Sequence, residues 1–302
     1  MVDHQGRFVW YELLTTDIAA AQVFYGKVVG WDARDASTPD FAYRMFTVGN
    51  APMAGLMNLP EEGLRKGATP RWLGYVAVDD VDMTAERVRC LGGTIYVPPT
   101  DSNIGRISVI ADPQTATLAL VSGLKPAEAA APLPDQPGRV GWHELFAADH
   151  GTAFAYYCEV FGWPKADAEP GATEAYQLFS AGGETIGGMF TKPAKALFPF
   201  WLFYFTVENI GAALDRVTEA GGQIFEGPFK LVGDSAIARC VDPQGAIFAL
   251  LGLRGGEAVV DPPATGEIGW STAWGGISSR GRLVADRRPE PKPKSNKPKS
   301  KA

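Results

Sequence analysis

The chain contains two copies of one long stretch of sequence. The segment WYELLTTDIAAAQVFYGKVVGW (10–31) aligns without a gap with WHELFAADHGTAFAYYCEVFGW (142–163). Three further pairs align in the same order, at offsets of 129 to 133 residues: 43–57 with 176–190, 72–95 with 201–224, and 109–120 with 239–250. A repeat of this length predicts that the 302 residues form two similar domains, each with its own core.

A shorter repeat lies inside each half. In the first unit a strand leads to Asp17, a residue type that caps helices, and a run with helical spacing then ends at Gly30. The second unit has a strand through Val78 and a helix over 83–91 that stops before two glycines. Three short alternating runs follow each helix, as strands require. The pattern predicts a βαβββ unit of about 50 residues used four times, and therefore an α+β fold.

These features resemble the vicinal oxygen chelate superfamily, which includes glyoxalase I, bleomycin-resistance proteins and extradiol dioxygenases. The resemblance is carried by the paired βαβββ units, the FGW that ends the first helix, the GG after the second and the DPQG turn before the last strand. The GWHEL and DPQG stretches are similar to tandem hydroxylase-like or glyoxalase-like members. The resemblance implies two cups, each a half-closed eight-stranded sheet with a ligand on its concave face. We expect domains at 7–123 and 138–253, a Pro/Ala-rich linker at 124–137 and an extension at 254–302.

Metal-using members of this superfamily hold a divalent ion with side chains of the first and last strands of each unit. The matching positions here are Trp10, Leu73, Trp142 and Leu202 on first strands, Ala119 and Ala249 on last strands, and a place near Leu56 and Met189 that lacks an acid. Such side chains offer none of the nitrogen or oxygen donors that these ions need. Comparison with the family therefore predicts no metal site, and we expect no cofactor.

Each cup is expected to hold one glutamate. Strand alternation places Glu12 on the face of Trp10, and Glu144 on the face of Trp142. Tyr75 and Tyr204 lie on the concave faces of the neighbouring strands, within expected hydrogen-bond reach of Glu12 and Glu144 respectively. Two interpretations stay open: a buried Glu–Tyr pair that fixes how the units dock, or a polar anchor or general base at the bottom of a ligand pocket.

Other polar side chains are weaker candidates for ligand contacts. Tyr43 and Tyr176 occupy equal places in the two halves and could stack on a ligand or simply pack. Arg44 and Arg106 would favour an anionic ligand if they point into the first cup, and are otherwise solvated strand residues.

His143 stands where the first half has Tyr11. By alternation it lies on the helix side, where the exchange is a packing substitution. The alternative makes His143 an acid or base beside Glu144, with chemistry in the second cup alone.

Composition limits the remaining possibilities. The net charge is −6, but residues 279–302 contain nine Lys or Arg against two Asp or Glu, in a proline-rich run that predicts a disordered tail. The tail could touch nucleic acid or anionic lipid, although an acidic folded part makes a solubilising end the simpler interpretation. Trp270 and Trp274 precede it in a segment that could cross a cup or belong to the tail.

The three cysteines show no paired spacing and are interpreted as small buried hydrophobic residues. No apolar run suits a membrane span or a signal peptide, which favours a cytoplasmic protein. We expect a monomer or a homodimer.

Three classes of function fit these observations. The leading hypothesis is metal-independent binding of a small organic molecule in one or both cups, for sequestration or detoxification. The first alternative is a lyase, isomerase or hydroxylase-like enzyme that uses Glu144, with or without His143. The second alternative is a metal-dependent lyase or dioxygenase. The last is an interaction module whose cups are filled with side chains.

Overall fold

A computed structural model describes residues 5–39, 41–65, 67–124, 136–166, 175–194, 196–231 and 233–255. The first half contains β1 (Phe8–Thr15), α1 (Ile18–Val29), β2 (Asp32–Asp35), β3 (Tyr43–Val48), β4 (Ala51–Asn58), α2 (Glu61–Arg65), β5 (Arg71–Ala77), α3 (Val81–Cys90), β6 (Thr94–Ser102), β7 (Gly105–Ala111) and β8 (Thr117–Ser122). The second half contains β9 (Val140–Ala147), α4 (His150–Phe161), β10 (Tyr176–Ala181), β11 (Glu184–Thr191), β12 (Phe200–Asn209), α5 (Ile210–Glu219), β13 (Gln223–Lys230), β14 (Ser235–Val241) and β15 (Ile247–Leu253). Nearly all of the predicted linker, the Trp270 and Trp274 segment and the basic tail lie outside the described residues.

The longer helices begin at or near the predicted positions, and α3 begins at Val81, two residues before the predicted start at 83. The side chains that cap α1, α3, α4 and α5 accept a hydrogen bond from the backbone N–H three residues on; they are Asp17, Asp80, Asp149 and Asn209. Helices α1 and α4 end at Gly30 and Gly162, whose φ angles of 85° and 71° are left-handed. The capped helix after the first strand of each unit confirms the fourfold repeat.

Each half forms one sheet. The first has the order β2-β3-β4-β1-β5-β8-β7-β6, and the second the order β10-β11-β9-β12-β15-β14-β13. The first strands of the two units lie side by side and antiparallel at the centre of each sheet, β1 against β5 and β9 against β12. This arrangement confirms the predicted α+β fold of two tandem cups. The domain boundaries stay predictions, and each sheet lies inside one of the predicted ranges.

Within the described residues, the two sheets differ by one strand. The expectation of eight strands in each holds for the first sheet, whereas the second has seven in the described part of the chain. Where the first domain has β2, Lys165 makes only an isolated bridge with Phe179. Residues 167–174, which follow it, are outside the described ranges.

A shared core joins the two domains on the helix side of the sheets. The Trp31 indole N–H donates to the Gly138 carbonyl at 2.8 Å, and the equivalent Trp163 donates to Gly6 at 2.6 Å. Tyr25 likewise donates to Asp242 at 3.1 Å, and its equivalent Tyr157 to Asp112 at 3.0 Å. Reciprocal contacts between equivalent residues are the signature of an approximate twofold axis. The duplicated chain is therefore a covalently joined pseudo-dimer.

The three cysteines differ in their exposure to solvent. Cys240 is buried, but Cys90 and Cys158 are exposed, so the interpretation of all three cysteines as buried was wrong. Cys90 is the last residue of α3, and Cys158 lies on α4 beside the exposed Glu159. No helix in the described part of the chain is long and apolar enough to cross a membrane.

Candidate functional site

A carboxylate held by two tyrosines lies on the concave face of the first sheet, which we call cup 1. Glu12 Oε1 accepts a hydrogen bond from the Tyr43 hydroxyl at 2.8 Å, and Oε2 accepts one from Tyr75 at 2.5 Å. The Trp10 indole N–H points to the Tyr43 hydroxyl at 3.3 Å. The pairing that alternation predicted between Glu12 and Tyr75 is therefore present, and Tyr43 joins it from β3. The backbone permits this approach at Gly55, where an added Cβ would lie 1.9 Å from the Tyr43 hydroxyl.

Cup 1 surrounds this carboxylate with apolar side chains. Leu73, Tyr75, Ala119 and Val121 are buried together on this face, and half-buried residues pack against them: Val9, Trp10, Leu14, Ile104, Ile107, Val109 and Leu124. Glu12 itself is 6% exposed. Burial raises the pKa of Glu12 because the charged form loses hydration, and hydrogen bonds from Tyr75, Tyr43 and Trp10 partly oppose this rise.

The concave face of the second sheet, which we call cup 2, repeats the arrangement. Glu144 accepts hydrogen bonds from Tyr176 at 2.9 Å and from Tyr204 at 2.6 Å, and the Trp142 indole N–H donates to Tyr176 at 3.0 Å. Cup 2 differs because Arg239 on β14 also donates to Glu144, at 2.9 Å. Glu144 and Arg239 are both buried.

The charges of cup 2 form an ion-paired network. Arg239 bonds with Glu226 as well as Glu144 and donates to the Tyr204 hydroxyl at 3.1 Å. Burial raises the pKa of Glu144, while the positive charge of Arg239 opposes the rise. Cup 1 has Val109 at the position of Arg239 and Val97 at the position of Glu226. The carboxylate of cup 1 thus lacks the cation that neutralises its counterpart in cup 2.

Arg44 and Arg106 do not join either cup. Arg44 forms an ion pair with Asp35, its cross-strand neighbour on β2. Arg106 pairs with Asp82 on α3 at 2.5 Å and with Asp101 at 2.9 Å. Both arginines alternate with cup residues and therefore lie on the helix side of the first sheet.

His143 lies at the domain interface, on the strand face opposite to Glu144. Its Nε2 is 2.6 Å from the Tyr11 hydroxyl, and its Nδ1 is 2.7 Å from the Ile186 carbonyl oxygen. Phe8 stacks on the imidazole ring with 4.1 Å between ring centroids. Burial lowers the pKa of His143 to about 4, so the ring is neutral at pH 7. This placement favours the packing interpretation of the Tyr11 to His143 exchange.

Two arginines of the cups were missed by sequence reasoning. Arg71 is paired with Leu14 across β1 and β5, which puts it on the concave face two residues before Leu73. Extending the alternation of Leu73 and Tyr75 back by one step would have found it. Arg239 aligns with Val109, and that alignment alone does not indicate an ion pair with Glu144.

The donor sets of the cups do not fit a family-type metal. No group of three or more His, Cys, Asp or Glu side chains suited to a metal ion is present among the described residues. Glu12 is bonded to two tyrosine hydroxyls, and Glu144 is bonded to Arg239, whose positive charge would repel a cation. Trp10 and Ala119 both lie in register with Tyr75, where they offer no oxygen or imidazole nitrogen.

Sequence comparison identifies the class of protein to which this fold belongs. The chain is a member of the Glyoxalase/Bleomycin resistance protein/Dioxygenase superfamily, whose family model matches residues 7–120 and 139–250. The two matched ranges correspond to the two sheets, so both halves belong to the family.

Individual relatives share this organisation over most of their length. The chain is 33% identical to "Putative glyoxylase CFP32" of Mycobacterium tuberculosis, over 82% of this chain and 95% of the relative. It is 29% identical to "Anthracycline biosynthesis protein DauV" of Streptomyces sp., over 82% of this chain and 94% of the relative. The Mn(II)-bound glyoxalase from Novosphingobium aromaticivorans has a similar fold, with a TM-score of 0.60, 15% identity and coverage of 91% and 94% of the two chains.

Proposed function

We propose that the protein binds a planar, largely apolar organic molecule in cup 1, where Glu12 anchors a hydrogen-bond donor of the ligand without a metal. The observation that carries this proposal is the Glu12 carboxylate held between Tyr43 and Tyr75 within an apolar concave face. An ionised carboxylate has about four lone-pair sites, so two tyrosine hydroxyls leave acceptor capacity for a ligand. A small number of polar groups in an apolar pocket is the usual composition of a small-molecule site.

Differences between the cups favour cup 1. Trp10, Val109 and Ile107 are half-buried, so apolar surface of cup 1 is available for contact. In cup 2 the side chains of Trp142, Glu144 and Arg239 are almost completely buried, and the ion pairs satisfy the charges. Glu144 is already out of contact with water and paired with Arg239, so a hydrogen bond from a ligand would add little to its stabilisation.

The apolar lining supports an aromatic ligand. The Trp10 ring can stack on a flat molecule, and the Val109 and Ile107 side chains provide apolar contact. One relative is named as an anthracycline biosynthesis protein, and anthracyclines are polycyclic aromatic compounds. We therefore assign the ligand to the fused-ring aromatic class, with a hydroxyl or amide N–H donor at one end.

The test is the affinity for 6-hydroxy-2-naphthamide, a neutral fused-ring probe, measured by calorimetry. We expect Glu12→Gln to weaken binding about tenfold, because an amide nitrogen replaces one acceptor oxygen and disturbs the tyrosine pair. Glu144→Gln is the matched control and is expected to leave the affinity within about twofold. Equal losses in the two variants would rule out cup 1 as the site.

A second candidate is proton transfer by Glu12 in a glyoxalase-type isomerisation. The raised pKa of Glu12 favours it, since a general acid or base acts best with a pKa near the working pH. The probe reaction is methylglyoxal with glutathione, measured on protein treated with a chelator. Catalysis by Glu12 predicts that Glu12→Gln lowers kcat by about 100-fold or more while affinity for the naphthamide changes far less. An unchanged kcat would exclude this role.

A further inference from the structure

Arg71 is a cationic side chain at the rim of cup 1 that the binding proposal leaves without a role. It is the first residue of β5 and lies across from Leu14 on β1. Leu73 and Tyr75 follow it at alternate positions, and both belong to the apolar lining of cup 1. Trp72, which lies between Arg71 and Leu73, belongs instead to the core on the helix side. Strand alternation therefore directs Arg71 over the concave face.

An interaction across the sheet supports this direction. The Tyr96 side chain on β6 lies within electrostatic range of the Arg71 guanidinium, where it acts to raise the pKa of Arg71. Strands β8 and β7 separate β5 from β6, which corresponds to about 14 Å along a flat sheet. Side chains on strands this far apart come within electrostatic range most readily when the sheet curls and both lie on its concave side.

The charge of Arg71 has no carboxylate partner in the described part of the chain. Its Nε donates to the Thr69 carbonyl at 3.1 Å. This bond does not use the two terminal nitrogens of the guanidinium. Arg44 and Arg106, in contrast, are each paired with aspartate. Partial burial lowers the pKa of Arg71, and the electrostatic effect of Tyr96 opposes this only in part.

Cup 2 lacks this feature. The residue equivalent to Arg71 is Phe200, which stacks on Phe146 with 4.5 Å between ring centroids. In cup 2 the guanidinium lies instead on Arg239, deep in the cup and bonded to Glu144. Arg71 therefore distinguishes the rim of cup 1 from that of cup 2.

We propose that cup 1 selects an aromatic acid, and that Arg71 binds the carboxylate of this ligand at the rim while Glu12 accepts a hydrogen bond from its other end. This inference rests on the proposed function of cup 1. Leu14, which pairs with Arg71, lies two residues beyond Glu12 on β1, about 7 Å along the strand. A fused-ring body spans such a separation, which keeps the ligand carboxylate away from the Glu12 carboxylate. A planar guanidinium fork is well suited to bind a carboxylate through two hydrogen bonds.

The experiment compares 6-hydroxy-2-naphthoate with 6-hydroxy-2-naphthamide, which differ only at one end, an anionic carboxylate in the first and a neutral amide in the second. Affinities of both probes are measured by calorimetry for the wild-type protein and for Arg71→Met. We expect the substitution to weaken the acid at least about tenfold and the amide less than about twofold. Arg71→Lys keeps the charge but not the fork, and should give an intermediate loss for the acid. Raising the salt from about 0.01 M to about 0.5 M should weaken the acid in the wild type and have little effect in Arg71→Met.

Arg44→Met is the matched control, because it removes one positive charge from the opposite face of the same sheet. It should leave the affinities for both probes unchanged. Three results would each overturn this inference but leave the proposed function in place. They are equal losses for acid and amide in Arg71→Met, a loss for the acid of the same size in Arg44→Met, and a wild-type protein that binds the amide but not the acid. A wild-type protein that binds neither probe would overturn the proposed function as well.

Discussion

His143→Phe is expected to destabilise the protein in a strongly pH-dependent way. A carbonyl oxygen can only accept, so the proton of the neutral ring lies on Nδ1, which donates to Ile186. Nε2 therefore accepts the hydrogen bond of the Tyr11 hydroxyl. Phenylalanine preserves the stacking on Phe8 but leaves the hydroxyl and the carbonyl without these partners. At about 1 to 3 kcal/mol for each buried group, the loss at neutral pH is about 3 kcal/mol.

The size of this loss should shrink in acid. An unfolded histidine takes up a proton below its ordinary pKa of 6.5, whereas burial holds the pKa of folded His143 at about 4. Because the unfolded state binds the proton first, the wild-type protein loses stability as the pH falls through this window. The wild type should lose about 2.5 kcal/mol from this residue by about pH 4.5, at about 1.4 kcal/mol per pKa unit. The variant has no such group, so its deficit should fall to about 0.5 kcal/mol.

The assay is urea denaturation followed by tryptophan fluorescence at several pH values between about 4.5 and about 7.5. Tyr11→Phe is the control: it removes the same hydrogen bond but retains the titrating ring. Its deficit should be about 1 to 2 kcal/mol at neutral pH, and the variant should still lose stability in acid because it retains the titrating ring. A His143→Phe deficit that stays constant across the range would refute the lowered pKa, and a deficit near zero at neutral pH would refute the hydrogen-bonding argument.

Two other pairs of substitutions test the duplicated geometry. Tyr25→Phe should cost about 2 to 4 kcal/mol in urea denaturation, because it deprives a buried aspartate and a tryptophan N–H of their partner, and Tyr157→Phe should match it within about 1 kcal/mol. Clearly different losses would mean that the two interdomain contacts are not equivalent. Gly55→Ala should displace the Tyr43 hydroxyl from Glu12 and abolish naphthamide binding in calorimetry, whereas the equivalent Gly188→Ala acts in cup 2 and should leave that binding intact. The opposite result would move the site to cup 2.

The sequence was sufficient for the parts of the structure that depend on periodicity. Asp17 and Gly30 mark the two ends of a helix, and alternation on β1 placed Glu12 with Trp10 on the concave face. The antiparallel pairing of β1 with β5 then brought Tyr75 to Glu12. These features are local in sequence or follow from the order of strands. The same order recurs in each of the four repeated units.

Contacts between the domains could not be predicted in the same way. Tyr25 and Asp242 are far apart in sequence, and nothing in either local pattern indicates that one donates to the other. Periodicity gives the face on which a side chain lies but not the element that covers that face. The same limit concealed the bond of Arg239 to Glu144, since a single valine-to-arginine difference between aligned strands is compatible with a solvent-exposed side chain.

Fusion of two domains explains why Tyr11 and His143 differ. Equivalent residues face one another at an approximate twofold axis, and two histidines bonded to carbonyls through Nδ1 would present two acceptors to each other. A symmetric dimer must use one residue for both positions, whereas a fused chain can place a donor in one half and an acceptor in the other. The same freedom allows Gly74 to oppose Phe203, because a Cβ on Gly74 would lie 2.7 Å from that ring. Once the two halves no longer have to match at the axis, they are free to differ in the cups, and Arg71 is the difference that we expect to determine which ligand cup 1 accepts.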